Sequence, residues 1–403
     1  MGSDDKEYVE IGVRGYHVTS IRLNTPDYRR FGGKNPYDSC KGATLEDAPR
    51  IVAGQYRLMP NPHHICSLIA CEKAAGIVCS GYETLRRTLI LYGIALREHG
   101  LHLADCIRAG MLESGARETE YLCGCAESIA VAGQSLAVAL TVGTRPPHMS
   151  GLEVARESER LTESREKAVT LARAFASVRR SLRTEPSHPS RIAKASVLWA
   201  DNGNELACDY RWSCVSSRRI GVEERLDGVL TGLADLVGPV SRLFFAGREK
   251  GGLPDSSVDD LAFALNRLPD SDVFLIPMAI AAESVVLIDR TVGIVGSCGD
   301  VRGCASQSVP REVALAVIEA PRGTLFHEVR AKDGRIVSGR VVAPTSLNLH
   351  MIERSLLAAS GELIANRDRE AIEERLIMVL RAHYPCMEIC DGSLDFRWHD
   401  SDD

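Results

Sequence analysis

Apolar residues recur at intervals of three or four along most of the chain, whereas strict alternation of apolar and polar residues is confined to short stretches. Residues Tyr8 to Leu23 alternate about Gly15, which predicts a β-hairpin. The wider spacing predicts helices over Ile65 to Val78, Glu83 to Ala109, Arg117 to Val142 and Leu152 to Leu182, with further helix near Val222 to Phe245. Segments of this length favour a central bundle of long helices.

The pattern changes again after residue 310. Three β segments occupy residues 311 to 345, with a turn at Asp333 to Arg335. This order predicts that Ala320-Pro321-Arg322-Gly323 and Ala343-Pro344-Thr345-Ser346 lie at matching ends of two neighbouring strands. Two more helices, about Leu349 to Ala365 and Arg369 to His383, follow.

These elements predict an α+β fold that is mainly α, a long-helix bundle with small β elements. We expect one domain over residues 1–403: an N-terminal β region (1–60), a helical bundle (61–310), and a β segment with C-terminal helices (311–403). Within the second predicted helix, Gly93 and Gly100 are either weak points or sites of close packing. The Ala-rich face of the third helix suits tight packing.

Composition narrows the function classes. Of 403 residues 45% are hydrophobic, and the net charge of -6 arises from interspersed acids and bases, which argues against a nucleic-acid face or a polybasic membrane patch. The polar N-terminus and the lack of about 18 successive apolar residues argue against a secretory signal and membrane insertion, so we expect a cytoplasmic protein. Thirteen cysteines, an odd number, do not suit a disulfide framework in a reducing compartment.

Two pairs of cysteines lie far apart in the chain. Cys66 and Cys71 occur in HHICSLIAC, and Cys386 and Cys390 occur in YPCMEIC. Distant thiolates usually meet to hold a metal, and two residues between cysteines let both sulfurs converge on one ion. Here four and three residues intervene, which turns one sulfur of each pair away. The four cysteines are therefore metal-ligand candidates, with buried core cysteines as the equal alternative.

The succession of motifs resembles the large subunit of [NiFe] hydrogenases over nearly the whole chain. It comprises the N-terminal hairpin, the Cys66 motif, LRRTLILYGIALREHGLHL, a His188-to-Arg191 segment, APRGTLFH, VVAPTSLN and a terminal Pro-Cys motif. In that family two CxxC pairs hold nickel and iron, and the iron carries cyanide and carbon monoxide. With Cys66 as first ligand the second position holds Ile69; with Cys71 as second ligand the first holds Leu68. The family's second motif is D-P-C-x-x-C-x-x-H, and the corresponding segment of this chain lacks both its aspartate and its histidine.

The resemblance implies that the surroundings of the iron are better kept than its ligands. It assigns Pro321, Arg322, Pro344 and Thr345 to the pocket for the cyanides, and a guanidinium and a hydroxyl suit the cyanide nitrogens. The alternative is an arginine that fastens a β-turn. Glu98, His99 and His102 resemble a family helix motif in which histidines approach the core, although a helical histidine more often serves packing.

Three functions remain open. The first is a non-catalytic assembly protein, a HupK/HoxV-type maturation scaffold that holds an Fe(CN)2CO unit transiently through Cys386 or Cys71, with maturation factors and the true hydrogenase large subunit as partners. The second is a divergent active large subunit paired with an iron-sulfur small subunit, in which all four cysteines reach the metals. The third is a structural paralogue without metal. The altered spacing argues against four-thiolate nickel binding.

Overall fold

The computed structural model describes residues 8–15, 17–24, 35–112, 114–141, 151–182, 191–192, 197–201, 211–214, 236–237, 271–272, 275–297, 306–360, 369–387 and 394–400. Its helices are α1 (Ala48–Ala53), α2 (Pro60–Ala75), α3 (Gly81–Arg108), α4 (Ala116–Thr141), α5 (Gly151–Leu182), α6 (Leu275–Ser297), α7 (Pro344–Ser360) and α8 (Arg369–His383). Its strands are β1 (Tyr8–Arg14), β2 (His17–Asn24), β3 (Ile77–Val78), β4 (Arg191–Ile192), β5 (Val197–Asp201), β6 (Arg211–Cys214), β7 (Leu236–Val237), β8 (Ser271–Asp272), β9 (Ser306–Gln307), β10 (Val313–Ala320), β11 (Gly323–Lys332), β12 (Arg335–Val342) and β13 (Asp395–Asp400).

The bundle is built on the close approach of α3 and α4. A Cβ atom on Gly93 would lie 2.8 Å from the carbonyl oxygen of Gly133, and one on Gly100 would lie 2.4 Å from that of Ala126. Gly93 and Gly100 are seven residues apart and therefore share one face of α3. Both glycines are confirmed as close-packing sites, and small residues of α4 face them as the sequence predicts.

Helix α4 is also notably apolar. Within the described residues, Ala116–Leu140 is one segment whose length and mean hydropathy of 1.4 would suffice to cross a membrane, and half of it is buried in the bundle. A core helix of a globular protein meets the same criteria.

Two small sheets flank the bundle. The predicted hairpin is confirmed as β1 and β2, and β13 joins it in parallel beside β1, so that the end of the chain pairs with its start. The strands β10, β11 and β12 form an antiparallel meander in which Ala320 pairs with Gly323 and Phe326 with Val342. The Arg322 turn and the residues after β12 therefore lie at the same end of this sheet, as predicted.

Several predicted boundaries differ from the structure. Helix α7 begins at Pro344 rather than Leu349, because a proline is favourable at the first helical position. Leu236–Val237, inside a predicted helix, is strand β7 beside β5; the rest of Val222 to Phe245 lies outside the described residues. Helix α6 and strand β13 were not predicted. The former is buried on nearly all sides and carries no amphipathic period. Of His188 to Arg191 only Arg191 is described.

The apolar core has two parts that position the site. One joins the bundle to the N-terminal sheet. The other lies between α2, the start of α3 and the β10–β12 sheet, and it contains Cys66, Cys71 and Cys386. The cysteine motifs from distant parts of the sequence are therefore brought into one region.

Candidate functional site

A small pocket, here called the inner pocket, lies at the end of the meander. Its volume is about 20 Å³. It forms where the start of α2, the β10–β11 turn, the start of α7 and the segment after α8 meet. The described residues that line it are Met59, Pro62, His63, Ala320, Arg322, Leu325, Ala343, Pro344, Thr345 and Cys386.

A hydrogen bond fastens the C-terminal cysteine segment to helix α7. The backbone N–H of Cys386 donates to Oγ1 of Thr345 over 2.8 Å, and both residues are buried. Pro344 begins α7 and so sets where the Thr345 side chain leaves the helix. The VVAPTSLN motif thus positions a cysteine that is 41 residues away in sequence.

Arg322 projects from the β10–β11 turn towards three other elements. Its Nη1 atom contacts the sulfur of Met59 and lies 3.5 Å from Oε2 of Glu98 on α3. Its guanidinium carbon lies 4.2 Å from the centre of the Tyr384 ring, a cation–π distance. These contacts extend well beyond the arginine's own turn.

Tyr384 occupies the position before the Pro-Cys step. Its φ angle of 56° lies in the left-handed region, and its ring centre is 4.0 Å from that of His102. Burial raises the pKa of the phenol well above its usual value, so the group is neutral. Its hydroxyl has no hydrogen-bond partner within the described part of the chain.

The three polar residues of the α3 motif all approach this region. Beside the contact of Glu98 with Arg322, Nε2 of His99 lies 3.3 Å from the carbonyl oxygen of Pro321. Nε2 of His102 lies 3.3 Å from the sulfur of Cys106, and burial lowers the pKa of His102 well below its usual value. Glu98 and His99 therefore make polar contacts with the Arg322 turn. The alternative expectation was that the residues of this helix serve packing alone.

The cysteines of α2 lie in a different setting. Five residues of helix rotate the chain by about 500°, so the side chains of Cys66 and Cys71 leave the axis about 140° apart. The thiol of Cys66 donates to the carbonyl oxygen of Leu325 over 3.6 Å, and Leu325 also lines the inner pocket. The sulfur of Cys71 is hydrogen-bonded to Ser67 instead. Burial raises the pKa of both thiols, that of Cys71 to about 12.

A buried chain of polar groups runs from Cys71 to the inner pocket. The hydroxyl of Tyr37 lies 2.9 Å from Oγ of Ser67 and 3.0 Å from Nδ1 of His327. Nε2 of His327 lies 3.1 Å from Nδ1 of His63, which lines the pocket. Burial lowers the pKa of His63 to about 3 and lowers that of His327 as well. The chain is therefore uncharged at neutral pH.

The structure brings some of the candidate residues together. Arg322, Pro344, Thr345 and Cys386 line one pocket, and Cys66 lies behind its wall; Pro321 lies beside it in the Arg322 turn. Cys71 is packed with Ser67 and Tyr37 on another side of α2. Cys390 lies outside the described residues. Across the described ranges, no three His, Cys, Asp or Glu side chains are arranged to hold a metal ion. Metal binding by the four cysteines stays a prediction.

Sequence reasoning missed Met59, Tyr37 and His63. Met59 is the N-cap residue of α2 and has a left-handed backbone with a φ of 57°. Methionine rarely adopts this conformation, so the sequence does not predict it. Tyr37 and His63 each stand in segments without clear periodicity, so their burial could not be inferred. The adjacent histidines His63 and His64 before Cys66 were the available signal.

Comparison with known proteins places this geometry in a known fold. No family model matches the chain. It is 24% identical over 369 residues to the sulfhydrogenase 2 subunit alpha of Pyrococcus furiosus, covering 86% of this chain and 87% of that protein. A shorter match, 26% over 123 residues, relates it to the sulfhydrogenase 1 subunit alpha of the same organism, covering 30% of this chain and 28% of that one.

Solved structures extend the similarity to the whole fold. An NAD+-reducing [NiFe]-hydrogenase in its H2-reduced state superposes with a TM-score of 0.72 at 17% identity, covering 92% of each chain. The reduced Ni-Fe-Se hydrogenase of D. vulgaris Hildenborough gives a TM-score of 0.65 at 15% identity, covering 93% of this chain and 94% of that one. The chain therefore has the fold of the [NiFe] hydrogenase large subunit, with low-identity sequence similarity to a sulfhydrogenase alpha subunit.

Proposed function

We propose that the chain is a non-catalytic assembly protein for [NiFe] hydrogenases, a scaffold of the HupK/HoxV type whose cargo is an Fe(CN)2CO unit. The observation that carries the proposal is the meeting of Cys386, Arg322 and Thr345 at one pocket while Cys66 and Cys71 point in different directions from α2. One sulfur and two cyanide-binding groups suit the iron unit, and they do not make a four-thiolate nickel site.

The donor set fits the cargo chemically. Cys386 offers a thiolate to iron, and the Arg322 guanidinium offers N–H groups to a cyanide nitrogen. Thr345 accepts the Cys386 N–H, so its own hydroxyl proton is still available to a second cyanide. Cys66 is the nearest further thiol, because its carbonyl partner Leu325 forms part of the pocket wall.

The size of the pocket suits transient holding. A volume of about 20 Å³ accommodates one water molecule, so the iron unit enters only when part of the wall moves. Few ligands and a pocket that closes after release favour transfer to another protein. The proposed partners are maturation factors and the hydrogenase large subunit that receives the unit, and the proposed location is the cytoplasm.

The test is a metal and infrared analysis of protein purified anaerobically from its own host. We expect iron with cyanide and carbon monoxide bands and without stoichiometric nickel. Cys386→Ser should remove most of the iron and both bands, whereas Cys71→Ser, an equally buried cysteine on α2, should retain them. Iron that survives Cys386→Ser and disappears with Cys71→Ser would contradict the assignment of the pocket.

The alternative is a divergent active large subunit with an iron-sulfur small subunit as partner. The observation in its favour is the coverage of at least 92% of the chain by the folds of working hydrogenases. Stoichiometric nickel together with H2-dependent dye reduction would establish it and overturn the scaffold. Protein without metals or bands, purified from cells that express the maturation genes, would identify a structural paralogue.

A further inference from the structure

A second and larger cavity lies on the other side of Arg322. This outer cavity has a volume of about 620 Å³. Its rim reaches solvent at Leu101, Asp105 and Arg108, which are exposed. The described residues that line it are Glu98, Leu101, His102, Asp105, Arg108, Ala109, Arg322, Arg381, Tyr384, Pro385 and Met387.

Arg322 separates the two cavities. It is the one described residue that lines both of them. The other described walls of the inner pocket are buried, except for Met59, which contacts Arg322. Among the described walls, the side chains that separate Cys386 from solvent are therefore Arg322 and the Met59 that contacts it.

Backbone strain is concentrated at the residues that hold Arg322. Among the described residues, three other than glycine have a positive φ: Met59 at 57°, Tyr384 at 56° and Asp333 at 50°. Asp333 precedes Gly334 in the β11–β12 turn, where such angles are usual. The other two contact Arg322 from opposite elements. Strain of this kind collects at clamps and switches.

The charges of the outer cavity favour anions. Three arginines and two acidic residues line it, and His102 is neutral because burial lowers its pKa. Arg108 is paired with Asp105 and Glu127 at the rim. Glu98 contacts both Arg97 and Arg322. The positive excess draws small anions towards Arg322.

We propose that Arg322 is a gate, held closed by Met59, Glu98 and Tyr384, that admits small anionic ligands from the outer cavity to Cys386. Opening moves the guanidinium away from Glu98 and the Tyr384 ring and joins the two cavities. The gate deepens the proposed function by supplying a route for the iron unit, whose cyanide ligands carry the negative charge, and it rests on that function for this ligand alone.

The gate is tested on metal-free full-length protein by the rate at which Cys386 is alkylated, measured by peptide mass spectrometry. Glu98→Gln and Tyr384→Leu each remove one contact to Arg322, and we expect iodoacetamide to react about fivefold faster at Cys386 in each. Asp105→Asn is the matched control, because it alters a carboxylate of the same cavity that pairs with Arg108 instead. Its rate should equal that of the wild type.

Charge selection is tested with Arg322→Met. The ratio of the iodoacetate rate to the iodoacetamide rate should fall several-fold, and this ratio cancels any change in the thiolate fraction of Cys386. Cys106, fully buried on α3, reports general unfolding. Unchanged Cys386 rates in both gate variants, an unchanged ratio, or a parallel rise at Cys106 would each overturn the gate. Iron content is measured separately, so the gate and the scaffold can fail independently.

Discussion

Cys66 and Cys71 of α2 belong to the same apolar core as Cys386, but the groups around the two sets of sulfurs differ. Cys66 and Cys71 leave a continuous helix into an apolar interior crossed by an uncharged polar chain. Cys386 lies outside regular structure, where its backbone N–H donates a hydrogen bond to Thr345, and it faces a pocket with two half-buried walls. The α2 side is a closed, well-packed core, whereas the Cys386 side lines a pocket that a ligand could enter.

The difference follows from what each side would need in order to bind a metal. A thiol must lose its proton before it ligates, and burial raises the pKa of both α2 cysteines, so binding there would be costly at neutral pH. Cys386 is buried as well, but it lines the same pocket as the Arg322 cation. The two sides therefore differ in the charge beside the sulfur more than in its burial.

The strongest test of the α2 core is Tyr37→Ala. It removes a fully buried ring and its contacts with Ser67 and His327, and we expect the free energy of unfolding to fall by about 3–5 kcal/mol in denaturant titration. Tyr121→Ala, on the exposed face of α4, is the control and should change it by under about 0.5 kcal/mol. A loss at Tyr37 below about 1 kcal/mol would show that this side is not a closed core.

Acid should weaken the same region through His63. Its pKa is about 3 in the folded protein, so below the ordinary value of about 6.5 the unfolded state takes up a proton that the folded state does not. This contribution to the free energy of unfolding is fully present above that ordinary pKa and is lost as the pH falls towards 3, by about 3 kcal/mol at pH 4.5. His63→Gln should reduce the difference between pH 7 and pH 4.5 by this amount.

The control for that measurement is His350→Gln, on an exposed position of α7. Equal acid sensitivity in wild type and His63→Gln would mean that His63 takes up its proton in the folded state. The polar chain of α2 would then be open to solvent, and the contrast with Cys386 would weaken.

Much of the fold followed from local patterns. The hairpin, the greater part of helices α2 to α5 and the β10–β12 meander were predicted from local spacing, from stretches without Gly or Pro, or from a turn signal. Helix α6 was missed because its apolar residues lie on nearly all sides and give no amphipathic period, and β13 because its pairing with β1 depends on residues nearly 390 positions away. Such pairings cannot be inferred from a local sequence pattern.

The candidate site was predictable in part. The β pattern placed Arg322 and Thr345 together because strand register is local, whereas their proximity to a terminal cysteine was expected only from the family resemblance. The contacts of Arg322 with Glu98 and Tyr384 depend on packing of α3 against the C-terminal segment, which no motif states. The divergence of Cys66 from Cys71 requires only helix geometry, and the spacing of the two cysteines predicted it.

On the Cys386 side, Thr345→Val tests the bond that fastens the segment. The buried Cys386 N–H loses its acceptor, which should cost about 1–3 kcal/mol and speed hydrogen exchange at that amide. Thr345→Ser retains the hydroxyl and is the matched control. Exchange at α2 amides should stay unchanged in both variants. Equal exchange rates at Cys386 in Val and Ser variants would show that the bond does not hold the segment.

Ile69→Cys has the smallest expected effect, and it tests most directly whether the α2 cysteines can form a metal site. It places a thiol three residues from Cys66 on the same face of α2, which restores the two-residue spacing. Loss of buried volume should cost about 1 kcal/mol. We expect no nickel above wild type after anaerobic reconstitution, because burial still raises the pKa of Cys66 and the Cys386 motif keeps its altered spacing. Leu68→Cys, which restores the spacing with Cys71, is the paired control. Stoichiometric nickel in either variant would mean that α2 is a metal site lacking one ligand, and that Cys386 is not the distinctive sulfur of this fold.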